Sequence, residues 1–334
     1  MGITKHSNIT LQDLASKLKQ CDYIQICGHV SPDGDCISSA LATKAALEAL
    51  GKKVDVLLSS NEAAPKTFDF LKGYEDLVYA GRIKKVADCF LMIDVPNEKR
   101  MGVAATKVKN KARTTLTLDH HFEEVRFSDF VFSDTSAAST TILVWDLIDL
   151  LGVEKTKEIA TCCLTGLMTD TGNFQFQNTD LRAFESAAEM VRCGANSSLI
   201  SEHVYMRNSL NFYKLQGKVI ENMQIFCGGE AAISSVSLSE FEETGASKSD
   251  FGDMINILRS LDGTRIVAMC REDKAFTKIS LRSLGDFDVR EIAARFGGGG
   301  HAGAAGATTN QDLATTMKEV KEAIEDALSL EEAS

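Results

Sequence analysis

The strongest limit on how this chain can fold is a series of short apolar runs that lack a regular polar face. Tyr23–Cys27, Val54–Leu58, Cys89–Ile93 and Thr114–Leu118 are rich in β-branched and apolar residues, and helical patterns separate them. A strand that is apolar on both sides has to be covered on both sides. Alternating strands and helices achieve this when the strands are parallel and the crossovers are helices. The expected class is therefore α/β, with a parallel sheet in the N-terminal part. Its helices are a first one through Leu11, Leu14 and Leu18 opened by Thr10-x-x-Asp13, an amphipathic one after Asp35 ending near Gly51, and a short one from Pro65 to about Lys72. A basic helical stretch to Lys109 follows, then helices over Ser136–Leu151, with Trp145 in the core, Lys155–Met168 and Leu181–Cys193.

Three of these strands end in chemically active residues. The first runs into Gly28-His29-Val30-Ser31-Pro32-Asp33-Gly34-Asp35, the third into Asp94, and the fourth into Asp119-His120-His121. Asp170 follows the helix that ends near Met168, where the helix dipole disfavours a bare carboxylate and favours a cation beside it. In open α/β sheets ligands bind just beyond the carboxyl ends of the strands. Side chains two apart in extended backbone share a direction, so Asp33 and Asp35 can face one pocket. Carboxylates crowded in this way repel and raise one another's pKa, and divalent cations relieve the repulsion. An oxygen-rich set with few imidazoles suits Mn²⁺ or Mg²⁺, and paired ions of this kind hydrolyse phosphate esters.

Bulk properties narrow the class further. A chain of 334 residues suits two domains, and 44% hydrophobic with 25% charged residues is the make-up of a folded soluble protein. A net charge of −11 argues against tracking long nucleic acid by counterion release, but not against a small anionic substrate. The nine cysteines include no CxxC pair, which points to reduced thiols and away from a zinc knuckle. No apolar run reaches the roughly 18 residues of a membrane span and no signal peptide is evident, so the expected location is the cytoplasm, with no membrane partner. His6 and His203 fall outside any motif and read as ordinary surface or half-buried residues.

His29-x-x-x-Asp33-x-Asp35, Asp94, Asp119-His120-His121 and Asp170 resemble, in order, the four motifs of the DHH phosphoesterases. The resemblance implies two divalent metal ions, usually manganese, with Mg²⁺ or Co²⁺ as alternatives. It implies that one ion takes His29, Asp33, Asp94 and Asp170, and the other Asp35, Asp94, His120 and Asp170. Asp119 would then orient an imidazole, and His121 would touch the scissile phosphate or assist the leaving group. Ser38 stands where many relatives carry glycine, which bears on how closely that helix approaches the sheet.

A second composition begins after a polar connecting region. The expected division is a catalytic domain over 1–195, a partly helical linker over 196–215 and a smaller α/β domain over 216–334, with the active-site cleft between the two domains. Strands are expected at Ala231–Val236, Arg265–Cys270 and Lys278–Leu281, with a helix from Asp288 to Phe296. The run Gly297-Gly298-Gly299-Gly300 reads either as a flexible linker or, with His301 and the Ala/Gly residues after it, as backbone passing close to a ligand or another segment. It resembles the GGGH motif of the DHH-associated domain, which implies substrate contacts from Arg282, Ser283, Gly299 and His301. Arg282 has the forked geometry suited to phosphate. The implied activity is hydrolysis of short oligoribonucleotides and of 3′-phosphoadenosine-5′-phosphate, with no long duplex partner and a homodimer as one state to expect. The rival activities are hydrolysis of linear dinucleotides or cyclic di-AMP, and a catalytically silent nucleotide-binding regulator on the same fold.

Overall fold

The computed structural model describes residues 4–121, 127–247, 250–252, 254–285 and 287–332. They form two compact units, Met1–Arg207 and Asn208–Ser334. The 196–215 stretch expected as a linker is largely helical, and the division falls at Arg207 and Asn208.

The first unit is built on strands β1 (Tyr23–Cys27), β2 (Lys53–Leu58), β3 (Val78–Tyr79), β4 (Cys89–Ile93), β5 (Thr114–Asp119) and β6 (Phe130–Ser133). Their order is β3-β2-β1-β4-β5-β6, and every neighbouring pair is parallel. This is the doubly wound order. Its direction reverses between β1 and β4, and a crevice opens where it reverses. Pairing of Cys27 with Met92 and of Ile93 with Leu118 brings the ends of β1, β4 and β5 to one level. The segments bearing His29, Asp94 and His120 therefore leave the sheet side by side.

Helices α1 (Leu11–Gln20), α2 (Gly34–Ala49), α3 (Glu98–Met101), α4 (Val103–Lys109), α5 (Thr140–Leu151), α6 (Lys157–Asp170), α7 (Leu181–Arg192) and α8 (Ser197–Tyr205) belong to this unit. All residues of β1 and β4 are buried, as the apolar runs required. One sheet face packs Ile24, Ile26 and Leu91 with Leu41, Trp145 and Leu164, while the other packs Phe90 and Met92 with Met101 and Ala105. Each leucine, isoleucine, phenylalanine and methionine among them contributes roughly 1.5–3 kcal/mol on burial.

Three expectations need correction. The α2 segment is not amphipathic in its first half, because Gly34 through Thr43 are all buried between the sheet, α5 and α6. Small residues permit this: a Cβ on Gly34 would run into the Thr169 side chain. The helix expected after Pro65 is a pair of 3₁₀ turns, Lys66–Phe68 and Tyr74–Asp76. The edge strands β3 and β6 were not foreseen, being too short to carry a period.

The second unit contains α9 (Leu210–Glu221), β7 (Gln224–Phe226), β8 (Ala231–Val236), α10 (Leu238–Thr244), α11 (Ile255–Arg259), β9 (Ile266–Glu272), β10 (Thr277–Ser283), α12 (Arg290–Arg295), β11 (Gly299–His301), β12 (Ala304–Thr309) and α13 (Leu313–Glu332). Its mixed sheet runs β11-β12-β10-β9-β8-β7, parallel only between β8 and β9. Alternation along β9 sends Ile266, Ala268 and Cys270 to one core and Val267 and Met269 to another. The glycine run enters this sheet. Gly299 pairs with Gly306 and His301 with Ala304, and a Cβ on Gly300, at φ 150°, would strike the carbonyl of Ala304. Among the described residues no helix is long and apolar enough to cross a membrane.

Candidate metal centre

The crevice beyond β1, β4 and β5 collects all eight residues expected there. Asp33 caps α2 by accepting the Cys36 N–H at 3.0 Å and stays exposed. Asp35 is buried one step further in. Its Oδ2 accepts the Thr140 N–H at 2.7 Å and its Oδ1 the Thr141 N–H at 3.0 Å. These donors are unpaired N–H groups of the first turn of α5, where the helix dipole also favours an anion. Gly166 lets α6 approach this point, since a Cβ there would stand 2.8 Å from Asp35 Oδ1.

Asp94 leaves β4 with φ 56°, a left-handed conformation uncommon for a side-chain-bearing residue and one that recurs at functional sites. Its N–H donates to the Leu118 carbonyl at 3.1 Å, and the Thr140 hydroxyl donates to its Oδ1 at 3.0 Å. Asp170 is the last residue of α6, with its backbone carbonyl accepting the Asn178 side chain at 3.1 Å.

Hydrogen bonds set the imidazole tautomers. His29 Nδ1 lies 2.8 Å from the Val30 carbonyl and His120 Nδ1 lies 3.2 Å from the Ala137 carbonyl, so each donates there and turns the lone pair of Nε2 inward. His29 Nε2 stands 3.4 Å from Asp33 Oδ2 and 3.6 Å from Asp94 Oδ2. His120 Nε2 stands 3.4 Å from Asp170 Oδ2 and 3.7 Å from Asp94 Oδ1. These separations exceed a good hydrogen bond. Two ligands each about 2.1 Å from one cation, and roughly at right angles or a little wider, lie about 3.0–3.5 Å apart. The donor set thus fits a divalent cation. Asp94 turns one oxygen to each imidazole and lies between two ligand groups.

His121 is arranged differently. Its Nδ1–H donates to Asp119 Oδ1 at 2.8 Å, and the same oxygen accepts the backbone N–H groups of His120 and His121. Asp119 Oδ2 is buried with no hydrogen-bond partner among the described residues, an arrangement that a nearby positive charge would satisfy.

Electrostatics agree with the need for cations. Burial, with Asp35 and Asp33 nearby, pushes the Asp94 carboxyl up to about 8. Burial also raises Asp35, and burial with Asp35 alongside holds Asp170 well above the usual carboxylate range. For His120 burial opposes the charged form, but Asp35 and Asp94 outweigh it and its pKa rises.

Thr140, Thr141, Cys36 and Arg100 also reach the site and were not anticipated. The thiol of Cys36, raised well above its ordinary value by burial, falls within ligand range of His29 and Asp94. A Ser-Thr-Thr helix start was a readable signal for the two threonines. Nothing in the sequence singled out Arg100. Ser38 is fully buried with no partner for its hydroxyl among the described residues.

In the second unit, Arg282 lies on the same face of β10 as Ser280 and Lys278, and across from them β9 carries Arg271. These four residues and Phe251 line a cavity of ≈ 230 Å³. Ser283 points to the other face and donates to the Phe287 carbonyl at 2.6 Å. Gly299 lies opposite Gly306 with open space where a Cβ would sit. His203 packs at a tilt against Phe70, with ring centroids 4.3 Å apart, and His6 is half-buried.

The profile of the DHH family, N-terminal domain, matches residues 23–167, and that of the DHHA1 domain matches residues 228–330. The bifunctional oligoribonuclease and PAP phosphatase NrnA of Thermus thermophilus is 33% identical over 307 residues, covering 92% of this chain and 90% of its own. The chain belongs to the DHH family. An exopolyphosphatase-related protein from Bacteroides fragilis shares the DHH-type architecture over 98% of both chains, at 29% identity and a TM-score of 0.86. The cyclic-di-AMP phosphodiesterase PdeA of Listeria monocytogenes is 25% identical over 94% of this DHH chain, which spans 48% of that protein.

Proposed function

We propose that this DHH-family protein is a metal-dependent phosphoesterase that hydrolyses short oligoribonucleotides to mononucleotides and 3′-phosphoadenosine-5′-phosphate to AMP. The observation that carries the reading is the complete set of ligands, with the His29 and His120 lone pairs turned toward a shared Asp94. The relative with 33% identity is named for both activities.

Two divalent ions, manganese by the oxygen-rich character of the donors, would polarise the phosphoryl group and activate water when bound. His29, Asp33, Asp94 and Asp170 would hold one, and Asp35, Asp94, His120 and Asp170 the other. Asp119 fixes the ring orientation of His121, which would touch the scissile phosphate or assist the leaving group. Arg282, Ser283, Gly299 and His301 would receive the substrate in the second domain, with Lys278 and Arg271 adding charge beside Arg282. The ligand set disfavours a silent regulator, since such a protein has no need to crowd five carboxylates. Similarity to PdeA supports linear or cyclic dinucleotides as the second reading.

The test is turnover by the Mn²⁺-loaded chain of 3′-phosphoadenosine-5′-phosphate, pApA, RNA of increasing length and cyclic di-AMP, with wild type and Arg282→Ala. Release of AMP and mononucleotides should fall steeply beyond a few nucleotides, and Arg282→Ala should lower kcat/KM on the short substrates. Equal efficiency on long RNA, or cleavage of cyclic di-AMP alone, would overturn the reading.

A further inference from the structure

The geometry points to Arg100 as the side chain that clamps the substrate's phosphate at the metal centre, an inference that rests on the phosphoesterase reading. Arg100 lies in α3, on the segment that follows Asp94. Its Nη2 stands 3.3 Å from His29 Nδ1. That nitrogen already donates its proton to the Val30 carbonyl, so it offers the guanidinium no lone pair. Among the described residues Arg100 has no carboxylate partner, whereas Lys109 in the following helix is engaged with Glu98. It is exposed, so its forked donors remain available at the mouth of the site.

The backbone beneath it is fixed at both ends. The Arg100 N–H donates to the Asn97 side chain at 3.1 Å, and the Arg100 carbonyl accepts the Val30 N–H at 2.6 Å. Gly102, at φ 75°, closes the turn where a Cβ would stand 3.0 Å from Val30. The segment after β4 is thereby tied to the segment after β1 that carries His29, and a guanidinium is held beside a metal ligand.

Charge balance supplies the reason for it. Asp33, Asp35, Asp94, Asp119 and Asp170 bring five negative charges and two divalent ions would bring four positive ones. A phosphate monoester adds up to two more negative charges. A forked cation at the rim offsets that excess and holds two phosphate oxygens at once, which a lysine does less well.

The experiment compares wild type with Arg100→Ala, Arg100→Gln and Arg100→Lys. It measures manganese per chain, calorimetric binding of inorganic phosphate to the manganese-loaded protein, and kcat/KM on 3′-phosphoadenosine-5′-phosphate and pApA. Manganese content should match wild type, while phosphate affinity and kcat/KM should drop about 10- to 100-fold in Arg100→Ala and Arg100→Gln, with part of the loss recovered in Arg100→Lys. Phosphate affinity and kcat/KM within twofold of wild type would overturn the assignment. Loss of manganese would overturn it too, since Arg100 would then be supporting His29. Phosphate binding is read without turnover, so a wild type that hydrolyses neither substrate counts against the phosphoesterase reading, and the calorimetry still decides the role of Arg100. If Arg100→Ala fails to fold, Arg100→Gln is judged by the same two criteria.

Discussion

Two helical glycines should respond in opposite ways to the same substitution. Gly166 lies in α6 where a Cβ would run into the Thr141 methyl and stand 2.8 Å from Asp35 Oδ1. Gly217 lies in α9, and a Cβ there would meet nothing within 4 Å. Replacing glycine by alanine inside a helix contributes about 1 kcal/mol through backbone entropy. At Gly217 that gain stands alone, so Gly217→Ala should stabilise by about 1 kcal/mol. At Gly166 overpacking costs about 1–3 kcal/mol and leaves a net loss of roughly 0–2 kcal/mol. For a unit of this size that is a fall in Tm of up to about 8 °C.

The larger effect at Gly166 should be on chemistry. Asp35 is held by two N–H groups of α5, so the added methyl has to push the carboxylate or the helix by several tenths of an ångström. A misplacement near 1 Å in a catalytic array costs on the order of a hundredfold in rate, so kcat/KM should fall about 10- to 100-fold in Gly166→Ala. The assays are thermal unfolding, bound manganese and turnover of 3′-phosphoadenosine-5′-phosphate for both variants. A Gly166→Ala protein with wild-type turnover and metal content would show that α6 does not press on Asp35, and the account of this contact would be wrong.

Removing metal exposes the cost of the carboxylates. Asp94 is held up at about 8 against an ordinary 3.8. The folded chain binds the extra proton, and its stability is full below the unfolded value and lost as pH rises toward 8. Asp94→Asn in chelator should flatten that loss in thermal scans from pH 5 to 8, and a variant as pH-sensitive as wild type would count against it. His120→Ala should lose manganese by elemental analysis, whereas His121→Ala should keep it and lose most of its rate. The reverse pattern would exchange their roles. Ser38→Ala deletes a buried hydroxyl that has no partner among the described residues, so it should raise stability by about 1 kcal/mol in denaturant titration. A fall in midpoint would mean the hydroxyl is satisfied.

The candidate ligand residues were legible because each sits close after an apolar strand or at a helix end, where polarity changes abruptly along the chain. His29, Asp94 and His120 needed only a parallel sheet to be brought together. The groups that hold those ligands were harder to read, because they act through backbone atoms. Thr140 and Thr141 serve Asp35 mainly by their N–H groups, which any residue other than proline carries. The burial of α2 was missed for a related reason. Its Ser and Ala residues look half-polar in a pattern, but their small size lets α6 close over them. The glycine run was left between a linker and a close backbone pass, and the strand pairing with Ala304–Thr309 settles it as the second.

The proposed preference for short substrates follows from where positive charge is placed. The net charge of −11 gives long RNA little general attraction, so binding has to come from local sites. On β10 the cationic row from Lys278 to Arg282 covers four residue steps, about 13 Å at the rise of an extended strand. At about 3.4 Å per stacked nucleotide this covers only a few nucleotides. Arg271 joins the row from β9, and the neighbouring positions on β12 are Ala304, Gly306 and Thr308, which add no charge. A longer strand would extend beyond this row on a chain whose net charge is −11. Each added phosphate would then contribute little or repel, which is the physical reason for expecting a preference for short oligonucleotides.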